Sequence, residues 1–182
     1  KSMSSFAFRQ EFMASFEAMG SEMFREDWII MGDKKQGDGD YYIAIDLAGF
    51  HDVSQNKKKS KRLDNTSMAV VWVTEDGWFV ESFIHGRWTL DETAQKIFQA
   101  VRDYKPLSVG IEKGIAKQAV MSPLTDMMKR NSFFFRVEEL THGNQKKTDR
   151  VMWALQGRFE HGLVTLKTAE WNSKFLDELF QF

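Results

Sequence analysis

Apolar positions along this chain repeat with a period of two in some stretches and near 3.6 in others, and the changeovers mark out its elements. Residues 41–47 (YYIAIDL) alternate, putting Ile43, Ile45 and Leu47 on one face and Ala44 and Asp46 on the other. Residues 107–112 (LSVGIE) do the same, with Leu107, Val109 and Ile111 toward a core and Ser108, Gly110 and Glu112 opposite. Residues 68–74 and 78–85 read as two further strands, joined at Glu75, Asp76 and Gly77, where Asp-Gly favours a tight hairpin. Residues 133–138 and 163–166 are predicted as the last two strands.

Helical spacing first occurs at 6–19, where Phe8, Phe12, Phe16 and Met19 form a stripe closed by Gly20. Thr89 and Glu92 match a capping box, opening a helix with Ala94, Ile97, Phe98, Val101 and Tyr104 on one side and Pro106 beyond its end. A second helix is predicted over 117–130, kinked at Pro123 or restarted there with Ser122 as N-cap. Thr148 is placed to cap a helix carrying Val151, Leu155 and Phe159 and stopped by Gly162, and Trp171, Phe175 and Leu179 mark the last one. Residues 28–31 are a brief apolar run, and 32–40 (GDKKQGDGD) a polar, glycine-rich connection. The pattern thus divides the chain into a connecting region with a short helix, 1–40, and a domain, 41–182.

Composition adds limits. A chain of 182 residues with 42% hydrophobic side chains can bury a full core. Its net charge of −1 gives no global attraction to nucleic acid, so any such binding must come from local patches. The absence of cysteine removes disulfides and thiolate metal sites and suits a reducing compartment. No apolar stretch reaches membrane-spanning length, and no membrane partner is expected. The chain begins at Lys1 rather than methionine and reads as part of a longer polypeptide.

The candidate chemistry lies in Asp46 and Glu112. Each ends a strand, on the face carrying small residues. If the strands are neighbours, the two carboxylates converge, and converging carboxylates repel unless a cation sits between them. The order of elements is three strands, helix, strand, helix, strand, helix. That implies an α/β fold, a mixed sheet flanked by helices, and it resembles the ribonuclease H-like plan. In that plan the first and fourth strands lie side by side, which would bring Asp46 next to Glu112.

Several segments together resemble the C-terminal nuclease domain of the large terminase subunit, the DNA-packaging motor of tailed bacteriophages. Residues 8–12 (FRQEF) and 23–28 (MFREDW) are similar to the stretch joining the ATPase motor to the nuclease. Residues 42–46 (YIAID) resemble the strand with the family's first metal-binding aspartate, and 64–70 (DNTSMAV) the start of the second strand. Residues 104–106 (YKP) and 109–112 (VGIE) look like its second acidic motif. Residues 147–151 (KTDRV), 159–162 (FEHG) and 175–179 (FLDEL) match its late helices and strand. No single motif is specific; the ordered set, spanning the chain, is. The family's third essential carboxylate falls in a His-Asp-Asp-type motif shortly after the last helix matched, so the domain is expected to be truncated before it. No Walker-type phosphate loop occurs, so the ATPase motor is not within these residues.

The resemblance implies a metal-dependent endonuclease that cuts concatemeric double-stranded DNA during genome packaging, in the cytoplasm of an infected bacterial host. Its partners would be DNA, the ATPase motor of the same polypeptide, the portal protein and the small terminase subunit, with the isolated domain a monomer. Two divalent ions roughly 3.5–4 Å apart can activate water and neutralise the phosphate and leaving oxygen together. Hard oxygen donors suit Mg2+ or Mn2+. Asp46 is expected to bridge the ions and Glu112 to bind one. Asp64 is the candidate third acid, although Asp-Asn is also plain turn chemistry. Asp149 is better explained as an acid favoured by a helix dipole. Lys57, Lys58, Lys59, Lys61 and Arg62, with Lys146, Lys147 and Arg150, are candidate phosphate contacts; the first run reads equally as a solvated loop. Histidines 51, 85, 142 and 161 lack metal-ligand spacing and are taken as structural or surface residues, with His142 the most eligible exception. A Holliday-junction resolvase-like nuclease and a non-catalytic DNA or portal docking module are the competing readings.

Overall fold

The computed structural model describes residues 23–34, 37–48, 65–141, 146, 149 and 151–181. Seven strands run along them: β1 (Ile30–Gly32), β2 (Asp40–Asp46), β3 (Thr66–Thr74), β4 (Gly77–Gly86), β5 (Ser108–Glu112), β6 (Val137–Leu140) and β7 (Val164–Lys167). They form one mixed sheet in the order β1-β7-β4-β3-β2-β5-β6. The β2–β3 and β3–β4 pairs are antiparallel, and the β2–β5, β5–β6, β4–β7 and β1–β7 pairs are parallel. Four helices flank it: α1 (Leu90–Tyr104), α2 (Ile115–Arg130), α3, in which a π-helical stretch Met152–Gln156 runs into Gly157–Glu160, and α4 (Asn172–Leu179). This is the α/β, ribonuclease H-like architecture expected from the sequence.

Each layer forms for local reasons. The Asp76-Gly77 hairpin turns as predicted, and Gly77 takes φ 145°, where a Cβ would also meet the Leu163 carbonyl oxygen at 2.5 Å. The capping box at α1 is complete: Glu92 N–H donates to the Thr89 hydroxyl at 3.2 Å, and Thr89 N–H donates to the Glu92 carboxylate at 2.8 Å. One face of the sheet buries Ile43, Ile45, Val109 and Ile111 against Ile97, Phe98 and Val101 of α1 and Val120 and Leu124 of α2. The other face, at the β4–β7 end, buries Val80, Val164 and Leu166 with Phe24, Phe159 and Leu179. Burying these side chains supplies most of the stabilisation, at about 25 cal/mol per Å² of apolar surface.

The structure differs from the pattern in four places. Residues 23–32, assigned to a connection, add β1 to the sheet edge and bury Met23 and Phe24 in the second cluster. The strand read at 133–138 is displaced to β6, because Phe133 and Phe135 pack from irregular backbone onto Phe98 at ring distances of 5.8 and 6.3 Å. Leu107, expected in the core, precedes β5 and is 65% exposed. Helix α2 starts at Ile115 and runs through Pro123 without a restart at Ser122. The helix proposed for 6–19 and the cap at Thr148 lie outside the described residues.

Candidate active site

Parallel pairing brings the two acidic strand ends together. Tyr42 lies opposite Ser108, Ile43 opposite Val109, Ala44 opposite Gly110 and Ile45 opposite Ile111. Asp46 and Glu112 are each the next residue in the same direction. Adjacent strands lie about 4.8 Å apart and level residues project to the same face, so the two carboxylates leave the sheet side by side. Both are exposed. The register is held by Ile43, Ile45, Val109 and Ile111, which a one-residue slip would turn out to solvent.

The row extends across the hairpin. Asp46 pairs with Ser67, and Ser67 with His85. Below the acids on the same face, Tyr42, Ala44, Val71, Ser108, Gly110 and Leu140 line an open apolar groove of about 390 Å³. The close approach of strand and side chain there depends on Gly110, where a Cβ would lie 2.8 Å from Leu140. On the other side of Glu112, α2 begins after only Lys113 and Gly114, and Gly114 at its N-cap has no side chain to offer the first amides. Such a terminus carries partial positive charge beside the acid pair. Lys117 and Lys113 approach Glu139 at 3.0 and 3.6 Å, and the Lys117 hydrogen bond holds the Glu139 carboxyl below its ordinary range.

The opposite end of β2 is fixed by a polar-aromatic cluster. Tyr41 meets Trp72 and Tyr104 at ring distances of 4.7 and 5.2 Å, and Lys34 lies 4.3 Å from the Trp72 ring centre. Burial pushes the Tyr104 hydroxyl up, and a hydrogen bond to Glu81 raises the Lys167 ammonium.

Two carboxylates supply hard oxygen donors of the kind Mg2+ and Mn2+ take, so the donor set fits such an ion in kind. Among the described residues, no group of three His, Cys, Asp or Glu gathers closely enough to hold one. Asp64, the third acid of the sequence reading, lies outside the described residues, as do Lys57, Lys58, Lys59, Lys61, Arg62, Lys147 and Arg150. Lys146 is exposed, and Asp149 is helical and exposed. The sequence pattern gives His85 no more signal than the other histidines, and Glu178 none. The structure sets His85 in the acid row and puts Glu178 Oε1 3.2 Å from its Nδ1. No linear signal joins those two residues; only the docking of α4 does.

No protein-family model and no curated protein sequence matches the chain. Solved structures do match. The P22 large terminase nuclease domain superposes with TM-score 0.56 at 12% identity, covering 88% of this chain and 78% of that one. A human cytomegalovirus terminase nuclease domain, Mn-soaked and inhibitor-bound, gives 0.53 at 12%, covering 78% and 75%. The large terminase of a thermophilic bacteriophage gives 0.55 at 10%, covering 86% of this chain, which spans 35% of that protein's length. At these identities the shared property is the fold: the chain has the ribonuclease H-like fold of large terminase nuclease domains.

Proposed function

We propose that this chain is the metal-dependent endonuclease domain of a bacteriophage terminase large subunit, cutting concatemeric double-stranded DNA during packaging. The observation that carries the reading is the β2–β5 ladder, which sets Asp46 beside Glu112 at neighbouring strand ends. Asp46 and Glu112 would hold Mg2+ or Mn2+ as a pair of hard ligands, with Asp64 the candidate third. When bound, two such ions neutralise the phosphate and stabilise the attacking and leaving oxygens of an in-line displacement. The residues of the chain position that event. The first turn of α2 offers amides to a phosphate oxygen, and Lys57, Lys58, Lys59, Lys61, Arg62, Lys146, Lys147 and Arg150 would contact the backbone without reading sequence. The ATPase motor of the same polypeptide, the portal protein and the small terminase subunit are the proposed partners, and the infected host's cytoplasm the proposed setting.

Plasmid cleavage under magnesium or manganese titration tests this. The wild-type chain should cut linear and circular duplex without preference for junctions. Asp46→Ala and Glu112→Ala should each lower the rate at least about a hundredfold while DNA retention persists. Retention without any metal-dependent cutting by the wild type would instead indicate a docking module, and cutting confined to four-way junctions a resolvase.

A further inference from the structure

The side of the row away from Glu112 carries groups that the cleavage reading leaves unused. His85 follows Ser67 across the hairpin, so it stands two strands from Asp46, about 10 Å away, on the same face. Its ring stacks on Phe83 at 5.7 Å with an interplanar angle of 26°. Phe83 in turn meets Phe175 of α4 edge-on at 5.1 Å. One turn further along α4, Glu178 Oε1 lies 3.2 Å from His85 Nδ1, with the two side chains 48% and 19% exposed. That Nδ1 is shut off from solvent and makes no well-aligned hydrogen bond. A buried polar atom left in this state costs free energy, and a small ring movement toward Glu178 would relieve it. The ring is therefore held by Phe83 and Glu178, and Nε2 is the nitrogen left for something else.

We propose that His85, oriented by Glu178 and Phe83, is a DNA-contacting residue that grips a backbone phosphate neighbouring the scissile one. With a proton on each nitrogen the imidazolium donates at both ends, through Nδ1 to Glu178 and through Nε2 to a phosphate oxygen. The separation from Asp46 places this contact on the same DNA strand as the acids' phosphate or on one close by, so the row both cuts and clamps. The contact reads no base, in keeping with cleavage of arbitrary sequence. The inference rests on the endonuclease reading, because it takes the acid row as the line along which DNA lies.

The test is duplex binding by the full chain over a salt series, without divalent metal, with cleavage in manganese as a parallel readout. His85→Ala should weaken binding about tenfold and reduce the log–log salt slope by about one, with His85→Gln intermediate in affinity. Glu178→Gln is the decisive variant, because the side chain is half-exposed and the replacement keeps its shape while removing its charge. Removing a negative charge should strengthen DNA binding by simple electrostatics, so a loss of affinity shows that Glu178 acts through His85. The double variant should then be no weaker than His85→Ala alone. Unchanged or tighter binding in both single variants, beside a wild type that binds and cuts, overturns this proposal alone. A wild type that neither binds nor cuts overturns the endonuclease reading and this inference with it.

Discussion

Thr89 and Glu92 show how single side chains set the edge of the site-bearing layer. Each satisfies an amide that the helix geometry leaves open, and α1 then presents Ala94, Ile97, Phe98 and Val101 to β2 and β5. Thr89→Ala should cost about 1 kcal/mol, which for a domain of this size lowers Tm by roughly 2–4 °C. The Glu92 carboxyl is held below its ordinary 4.5, first by the Thr89 backbone N–H and then by the Thr89 hydroxyl. A depressed carboxyl stabilises the fold above its unfolded pKa and loses that contribution as pH falls through the folded one. Glu92→Gln should therefore show a small Tm deficit at neutral pH that closes below about pH 4.5. A deficit that is constant with pH would assign the effect to packing instead of charge.

At the scale of elements, the bulge in β4 decides which residues join the row. Thr74 to Val71 pair with Gly77 to Val80 in simple hairpin register, but Val70 pairs with Ser82, leaving Glu81 as the extra residue. Were Glu81 instead paired with Val70 in unbroken register, Ser67 would face Ile84, and His85 would point into the α1–α2 layer. Val80 and Phe83, three apart, bury on the same side only because of this shift, which is why a strict alternation misreads the strand. Deleting Glu81 should thus close the bulge, leave Ser82–Gly86 on their present β3 partners and cost only about 1 kcal/mol, through the lost Glu81 contacts to Lys167 and Tyr41, measured by denaturant unfolding. A loss of several kcal/mol would show that the bulge itself holds the strand in place. Locality separates what is legible in the sequence from what is not. The Ile43, Ile45, Val109 and Ile111 alternation and the Thr89 cap are local, and they marked β2, β5 and α1 correctly. The pairing of β1 with β7 and the meeting of Glu178 with His85 depend on chain segments over a hundred and some ninety residues apart, and no periodicity encodes them.

Across the whole molecule, two helical layers cover the sheet unequally. α1 and α2 close one face over the β2–β5 ladder, while Phe159 and Leu179, from α3 and α4, pack at the β4–β7 end of the other. Among the described residues, no helix covers the remaining part of that second face, from the groove up to Asp46 and Glu112, and the proposed duplex would lie there. A net charge of −1 offers such a polyanion no general attraction, so any affinity for it must be concentrated in a few cationic side chains. Each phosphate neutralised adds about 0.9 to the log–log salt slope. Replacing Lys57, Lys58, Lys59, Lys61 and Arg62 together by serine should then lower that slope by up to about 4.5 and weaken binding equally across sequences. Cleavage at saturating DNA should be spared, because the acid pair lies on β2 and β5 and not on this run. A slope that does not move would leave the run a solvated loop and shift the electrostatic footprint to Lys146, Lys147 and Arg150, whose replacement in the same assay separates the two placements.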